Sequence, residues 1–92
     1  MVRPIKPRFL QGNPTTFYFK PQGIPLRLLD EVILGPDEFE AIRLHDYNNL
    51  NQTSAAKEMG ISQPTFARIL DKTYKKIALA LVKGKAIRID KK

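Results

Sequence analysis

The chain has 92 residues, 42% of them hydrophobic, and a net charge of +7. That length suits one domain with a modest core, and such small folds often gain stability by pairing or by binding a ligand. It holds no cysteine, so disulfides and thiolate metal sites are excluded, and its longest apolar stretch is too short for a membrane-spanning helix.

The charge is unevenly spread. Residues 1–27 carry Arg3, Lys6, Arg8, Lys20 and Arg27 and no acid; residues 30–46 hold six acids against Arg43 alone. From Lys57 onward there are ten bases and three acids. Two positive ends flank a negative middle. A polyanion is one partner for such ends, because neutralising phosphates releases condensed counterions. A lysine-rich solubilising surface is the other reading, and charge alone does not choose. Met1-Val2-Arg3-Pro4 is basic with no apolar run behind it, which argues against a secretory signal and for a cytoplasmic protein.

Prolines crowd the first 36 positions, so this part reads as extended and turn-rich. Residues 1–14 read as a basic arm, one that follows a DNA backbone or enters a minor groove, or else as an ordinary free terminus. Thr15 to Lys20 is β-branched and aromatic between Pro14 and Pro21, the signature of a short strand. Its aromatics, Phe17, Tyr18 and Phe19 beside Lys20, fit a core better than a base-stacking platform. Leu26 to Leu34 reads as a turn of helix followed by an extended piece, without a decisive pattern.

Gly35-Pro36-Asp37-Glu38 is a helix start. Gly serves as N-cap, Pro fits the first helical position, and the acids complement the positive end of the dipole. Phe39, Ala41, Ile42 and Leu44 then give an apolar face, and Asn48-Asn49 ends the helix. Asp37, Glu38 and Glu40 read as a charged first turn and not as a metal site; no metal and no cofactor is expected.

A second helix runs from about Asn51 to Met59 and ends at Gly60. Ser62 caps a third, long helix, 63–83, which accommodates Pro64 in its first turn and ends at Gly84. Phe66, Ile69, Leu70, Ile77 and Leu81 recur near the helical period and are expected to face the core. Ala86 to Asp90 alternates as a half-buried strand does and is a partner for the Thr16 to Phe19 strand.

Gln52 to Asp71 fits a helix-turn-helix. Two helices that cross over a short turn need a small residue where they touch, and Ala56 supplies it. The sharp turn needs a residue tolerant of positive φ, which is Gly60. Ala55, Met59, Ile61, Phe66 and Ile69 fall where side chains lock the pair. With the second helix of the pair in a major groove, Ser62, Gln63, Thr65 and Arg68 would meet base edges. Lys72, Lys75 and Lys76, together with Arg3, Lys6 and Arg8 of the arm, would contact phosphates. Catalysis finds no support: His45 is the lone histidine, with no evident nucleophile partner, and no small-molecule substrate is indicated.

Several stretches carry a further likeness: Tyr18-Phe19-Lys20-Pro21, Gly23-Ile24-Pro25-Leu26, and Asp37 to Leu44 with Asp46. Others are Gln52, Ala55-Ala56, Met59 to Ser62, Thr65-Phe66, Arg68 to Leu70, Ala80-Leu81, Gly84 to Ala86 and Ile89. In these the chain resembles a family of small, uncharacterised bacterial and archaeal proteins related to region four of sigma factors. The resemblance implies DNA binding through a sigma-like helix-turn-helix.

The expectation is therefore a mostly α fold with a three-helix core of the sigma region-four kind. A small β element would come from the N-terminal and C-terminal strands, residues 15–92 making one domain. The expected partner is double-stranded DNA, bound by a transcriptional regulator that pairs as a homodimer through its long helix. A protein module that docks on transcription machinery is the alternative, and RNA binding through the aromatic strand and arm is a third reading.

Overall fold

A computed structural model of the chain describes residue 10, residue 12 and residues 17–90. The arm, with Arg3, Lys6 and Arg8, lies outside the described residues. Within them the fold is mostly helical, with a small three-stranded sheet.

Strand β1 is Tyr18–Phe19, and a single 3-10 turn follows at Leu26–Leu28. Strand β2 is Glu31–Leu34, so the undecided Leu26–Leu34 stretch is both a helical turn and an extended piece. Helix α1, Pro36–Ile42, starts where the sequence predicts: Pro36 takes the first position, and the Gly35 N–H donates to Glu38 Oε1 at 2.8 Å. The helix widens into a π turn over Arg43–Tyr47 and stops at Asn49, whose φ of 62° is one that asparagine tolerates.

Helix α2, Gln52–Met59, is capped by Asn51 Oδ1, which accepts from the Ser54 N–H at 2.8 Å. Helix α3, Gln63–Lys83, is capped by Ser62 and carries Pro64 in its first turn, where no N–H is needed. Gly60 and Gly84 close α2 and α3 at φ of 69° and 66°, the left-handed conformation that favours a residue without Cβ.

Strand β3, Ala86–Ile89, is the middle strand. It pairs with β1, the partner considered from the sequence, in antiparallel fashion with Tyr18 opposite Arg88; its burial does not alternate, Ala86 and Ile89 being the buried pair. It also runs parallel to β2, with Val32 opposite Ile87. The β element is thus larger than two terminal strands. A parallel pair needs a long crossover, and all three helices form it.

One core cluster joins α1, α2 and α3 through Ala41, Leu44, Ala55, Ala56, Met59, Phe66 and Leu70, with Leu10, Leu50, Ile61 and Ile69 packed against it. Further along, α3 lies on β2 and β3, where Val32, Leu34, Ala80, Ala86 and Ile89 are buried.

Three expectations are corrected. Tyr18 and Phe19 are exposed rather than core, because β1 is a two-residue edge with a neighbour on one side only. Leu81 is 75% exposed, since the helix has rotated its face past the sheet by that point. Phe39 and Ile42 are only half-buried. Asp37 and Glu38 form the expected charged first turn, and Glu38 and Glu40 are buried, for reasons given next.

Candidate nucleic-acid interface

The corner between α2 and α3 is built from small and apolar side chains. Ala55, Ala56, Met59 and Phe66 are all buried there, and Ile61 and Ile69 are half-buried against them, so every residue predicted to lock the pair packs at the corner. The backbone tightens it: the Ile61 N–H donates to the Ala56 carbonyl at 3.0 Å, and the Phe66 N–H to the Ser62 carbonyl at 3.0 Å. With that face committed to the core, the opposite face of α3 is held toward solvent.

Of the predicted base-reading residues, Thr65 and Arg68 lie on that outer face, with Ser62 and Gln63 at its N-terminal end. Ser62, Gln63 and Arg68 are exposed and Thr65 is half-buried. Ser62 Oγ accepts from the Thr65 N–H at 3.3 Å and its hydroxyl donates to Thr65 Oγ1 at 2.9 Å, while Arg68 Nη2 donates to the same Oγ1 at 3.3 Å. Gln63 Nε2 donates to Gln52 Oε1 at 2.6 Å, tying the start of α3 to the start of α2. These contacts set the direction of the four side chains before any ligand arrives. That lowers the ordering cost of binding.

The three lysines predicted as phosphate contacts part company. Lys72 and Lys75 are exposed; Lys75 makes a 3.0 Å pair with Asp71 one turn back, which solvent screens. Lys76 is different. Its ammonium donates to the Ile33 carbonyl and to Glu38 Oε1, each at 2.7 Å, so it is withdrawn from any phosphate and welds α3 to β2 and α1.

Glu38 explains that commitment. Its Oε1 also accepts from the Gly35 N–H, and a carboxylate this buried needs a cation beside it. Glu40 follows the same rule. Its oxygens accept from Arg43 at 2.8 and 3.0 Å and from the Gly12 N–H at 2.9 Å. The hydrogen bond to Glu40 holds the Arg43 guanidinium above its usual range, against the opposing effect of burial.

A cleft of about 350 Å³ opens beside the reading residues, lined by Asp37, Glu38, Thr65, Arg68, Ile69 and Lys72. The first turn of α1 therefore brings two acids to the edge of the basic face. Sequence reasoning missed this, because Asp37 lies far from Arg68 along the chain and nothing local announces their meeting.

His45 is a packing residue. Its Nδ1 lies 2.7 Å from the Leu50 carbonyl, which fixes the ring proton on that nitrogen, and its ring sits edge-on to Phe66 at 6.3 Å. Among the described residues, no group of three or more metal-binding side chains occurs, and no helix is long and apolar enough to cross a membrane.

Fold and surface together define a small, mostly helical domain with an exposed basic face on its longest helix. Residues 1–91 match the family described as protein of unknown function DUF134, and the chain belongs to that family. It is 49% identical over 90 residues to a UPF0251 protein of Thermoanaerobacter pseudethanolicus, a match covering 98% of this chain and 76% of that protein. It is 52% identical over 90 residues to one of Caldanaerobacter subterraneus subsp. tengcongensis, with the same coverage of each. It is also 50% identical over 90 residues to one of Dehalococcoides mccartyi, covering 98% of this chain and 77% of the relative. No solved structure matches the chain.

Proposed function

We propose that this protein binds double-stranded DNA in a sequence-specific way and acts as a transcriptional regulator in the cytoplasm. In this reading α2, the turn at Gly60 and α3 form a helix-turn-helix of the sigma region-four kind. The observation that carries it is the division of one helix. Phe66 and Leu70 bury one side of α3 at the corner, while Arg68 and Lys72 stand exposed on the other and Gln63 is exposed at the N-terminal tip. The N-terminal residues of such a helix meet base edges in a major groove. Arg68 suits two hydrogen bonds to guanine, and Gln63 suits adenine once its bond to Gln52 is released. Lys72 and Lys75 supply phosphate contacts that position without specifying.

Selection of bound sites from a random duplex pool, followed by titration at two salt concentrations, tests the proposal. A steep fall of affinity with salt is expected. Arg68→Ala should weaken the selected site by about 1–3 kcal/mol and relax the preference at one base pair, whereas Lys75→Ala should weaken selected and random duplexes alike. Absence of duplex binding at low salt overturns the reading. Docking on transcription machinery then becomes the account of this face, and stronger competition by single-stranded RNA would shift attention to the exposed Tyr18 and Phe19.

A further inference from the structure

The second half of α3 carries a surface that the fold leaves uncovered. Asp71, Tyr74, Ala78, Leu81 and Val82 are all exposed, and their spacing of three and four residues sets them along one side of the helix. At about 100° per residue, this stripe lies roughly 120° around the helix from the core side and roughly 120° from Thr65, Arg68 and Lys72. It is a third face, distinct from both. Beside it, between α3 and β1, runs an apolar groove of about 270 Å³ with Phe19, Leu81 and Ile87 in its walls and Lys85 at its end.

We propose that this stripe docks a second copy of the chain, the two α3 helices lying antiparallel and crossing at Ala78. The stripe is complementary to itself in that orientation alone. A two-fold axis at Ala78 brings helix residues equally far from it into apposition, so Tyr74 meets Val82 of the other copy, and the acid Asp71 lies toward the end of the other helix, where the base Lys85 follows the Gly84 stop and lines the groove beside Leu81. A parallel pair would set Asp71 on Asp71 and Lys85 on Lys85. Ala78 at the crossing allows close approach, and antiparallel helix dipoles attract.

Tyr74 arrives already ordered. Its hydroxyl donates to the Asp46 carboxylate, whose oxygens lie 2.9 and 2.7 Å away, which fixes the ring as a rigid anchor with one wet end. The pairing leaves both sets of reading residues free and stands whether or not DNA is the ligand.

Sedimentation equilibrium of the full chain tests this. A reversible monomer–dimer equilibrium in the micromolar range is expected, and Val82→Asp should abolish it while leaving the circular dichroism spectrum unchanged, because Val82 is 81% exposed. Two charge reversals then test the register. Asp71→Lys alone and Lys85→Asp alone should each weaken self-association several-fold at low salt, by setting like charges together in both symmetric contacts. An equimolar mixture of the two variants should regain the wild-type affinity as a heterodimer, because both contacts are then of opposite sign. A wild-type chain that stays monomeric at high micromolar concentration overturns the proposal. So does a dimer indifferent to Val82→Asp, or a mixture that associates no better than its components.

Discussion

The two halves of α3 are one unbroken helix with opposite surfaces. In the first half, Phe66 and Leu70 are buried against α1 and α2, the outward side chains are Arg68 and Lys72, and Gln63 is exposed at the tip. In the second half the fully buried residues are small or polar, Thr73 and Ala80, with Ile77 half-buried between them, and the outward ones include Leu79, Leu81 and Val82 beside Lys75 and Lys83. The usual amphipathic order is thus kept at one end of the helix and partly reversed at the other. A helix face left apolar in water is costly to solubility, which is the ground for the proposed self-association. On the proposed reading, the comparison teaches that α3 divides its work along its length, with polar contacts near its start and apolar contact near its end.

The sharpest way to break that comparison is to truncate the same kind of side chain in each half. Phe66→Ala should cost about 3–5 kcal/mol in urea unfolding, since the ring is fully buried where three helices meet. Leu81→Ala should change the stability of the monomer by less than about 0.5 kcal/mol, as surface substitutions do. Equal losses at the two positions would show that the second half is covered by something within the fold, and the division of labour would fall.

Adjacent lysines give the next largest contrast. Lys76→Met removes the partner of a buried carboxylate and should cost about 2–3 kcal/mol, with part of the loss recovered by adding Glu38→Gln. Lys75→Met should leave unfolding almost unchanged and appear only in DNA affinity. Comparable unfolding penalties for the two would deny Lys76 its structural role.

That contrast also shows what could be read in advance. Each helix end was legible because its signal is local: Pro36 after Gly35, Asn51 and Ser62 as caps, Gly60 and Gly84 as stops. The packed corner at Ala55, Ala56 and Phe66 was legible for the same reason, since all its members lie within about 20 residues. Lys76 and Glu38 were not, because they lie 38 positions apart and only the folded chain joins them. Nothing in one sequence distinguishes a buried, paired lysine from the exposed one beside it. The aromatic strand misled for a related reason. Alternation and β propensity report that Tyr18 and Phe19 suit a strand, but whether a strand face is covered depends on which neighbours the topology supplies. The parallel partner β2 was hidden too, as its pairing spans the entire helical region.

A smaller effect sharpens the polar half of the comparison. Asp37 borders the same cleft as Arg68 and Lys72, so it places a negative charge beside the proposed DNA face. Asp37→Asn should strengthen binding to random duplex by up to about 1 kcal/mol at low salt, and the gain should fade as salt rises. Weaker binding in that variant would mean that Asp37 orients Arg68 and does more for recognition than it costs in repulsion.

The smallest expected effect concerns Tyr74, on the apolar half. Burial of part of its ring and the hydrogen bond to Asp46, aided by the charge of that carboxylate, push its hydroxyl from 10.0 up to about 12. The folded state therefore holds this proton more tightly than the unfolded chain does. By linkage, the stabilisation from this group is fully present below pH 10, the ordinary tyrosine value, and is lost as pH rises toward 12. Because the side chain is 42% exposed, solvent screens most of it, and the whole contribution should be below about 1 kcal/mol. Lysines titrate over the same range, so the test is a difference: unfolding free energy of wild type minus that of Tyr74→Phe, followed upward from pH 9. The difference should shrink with rising pH. A constant difference would show that the hydroxyl is not held by Asp46, and the ring would then be a mobile side chain instead of the fixed anchor that the apolar half of α3 requires.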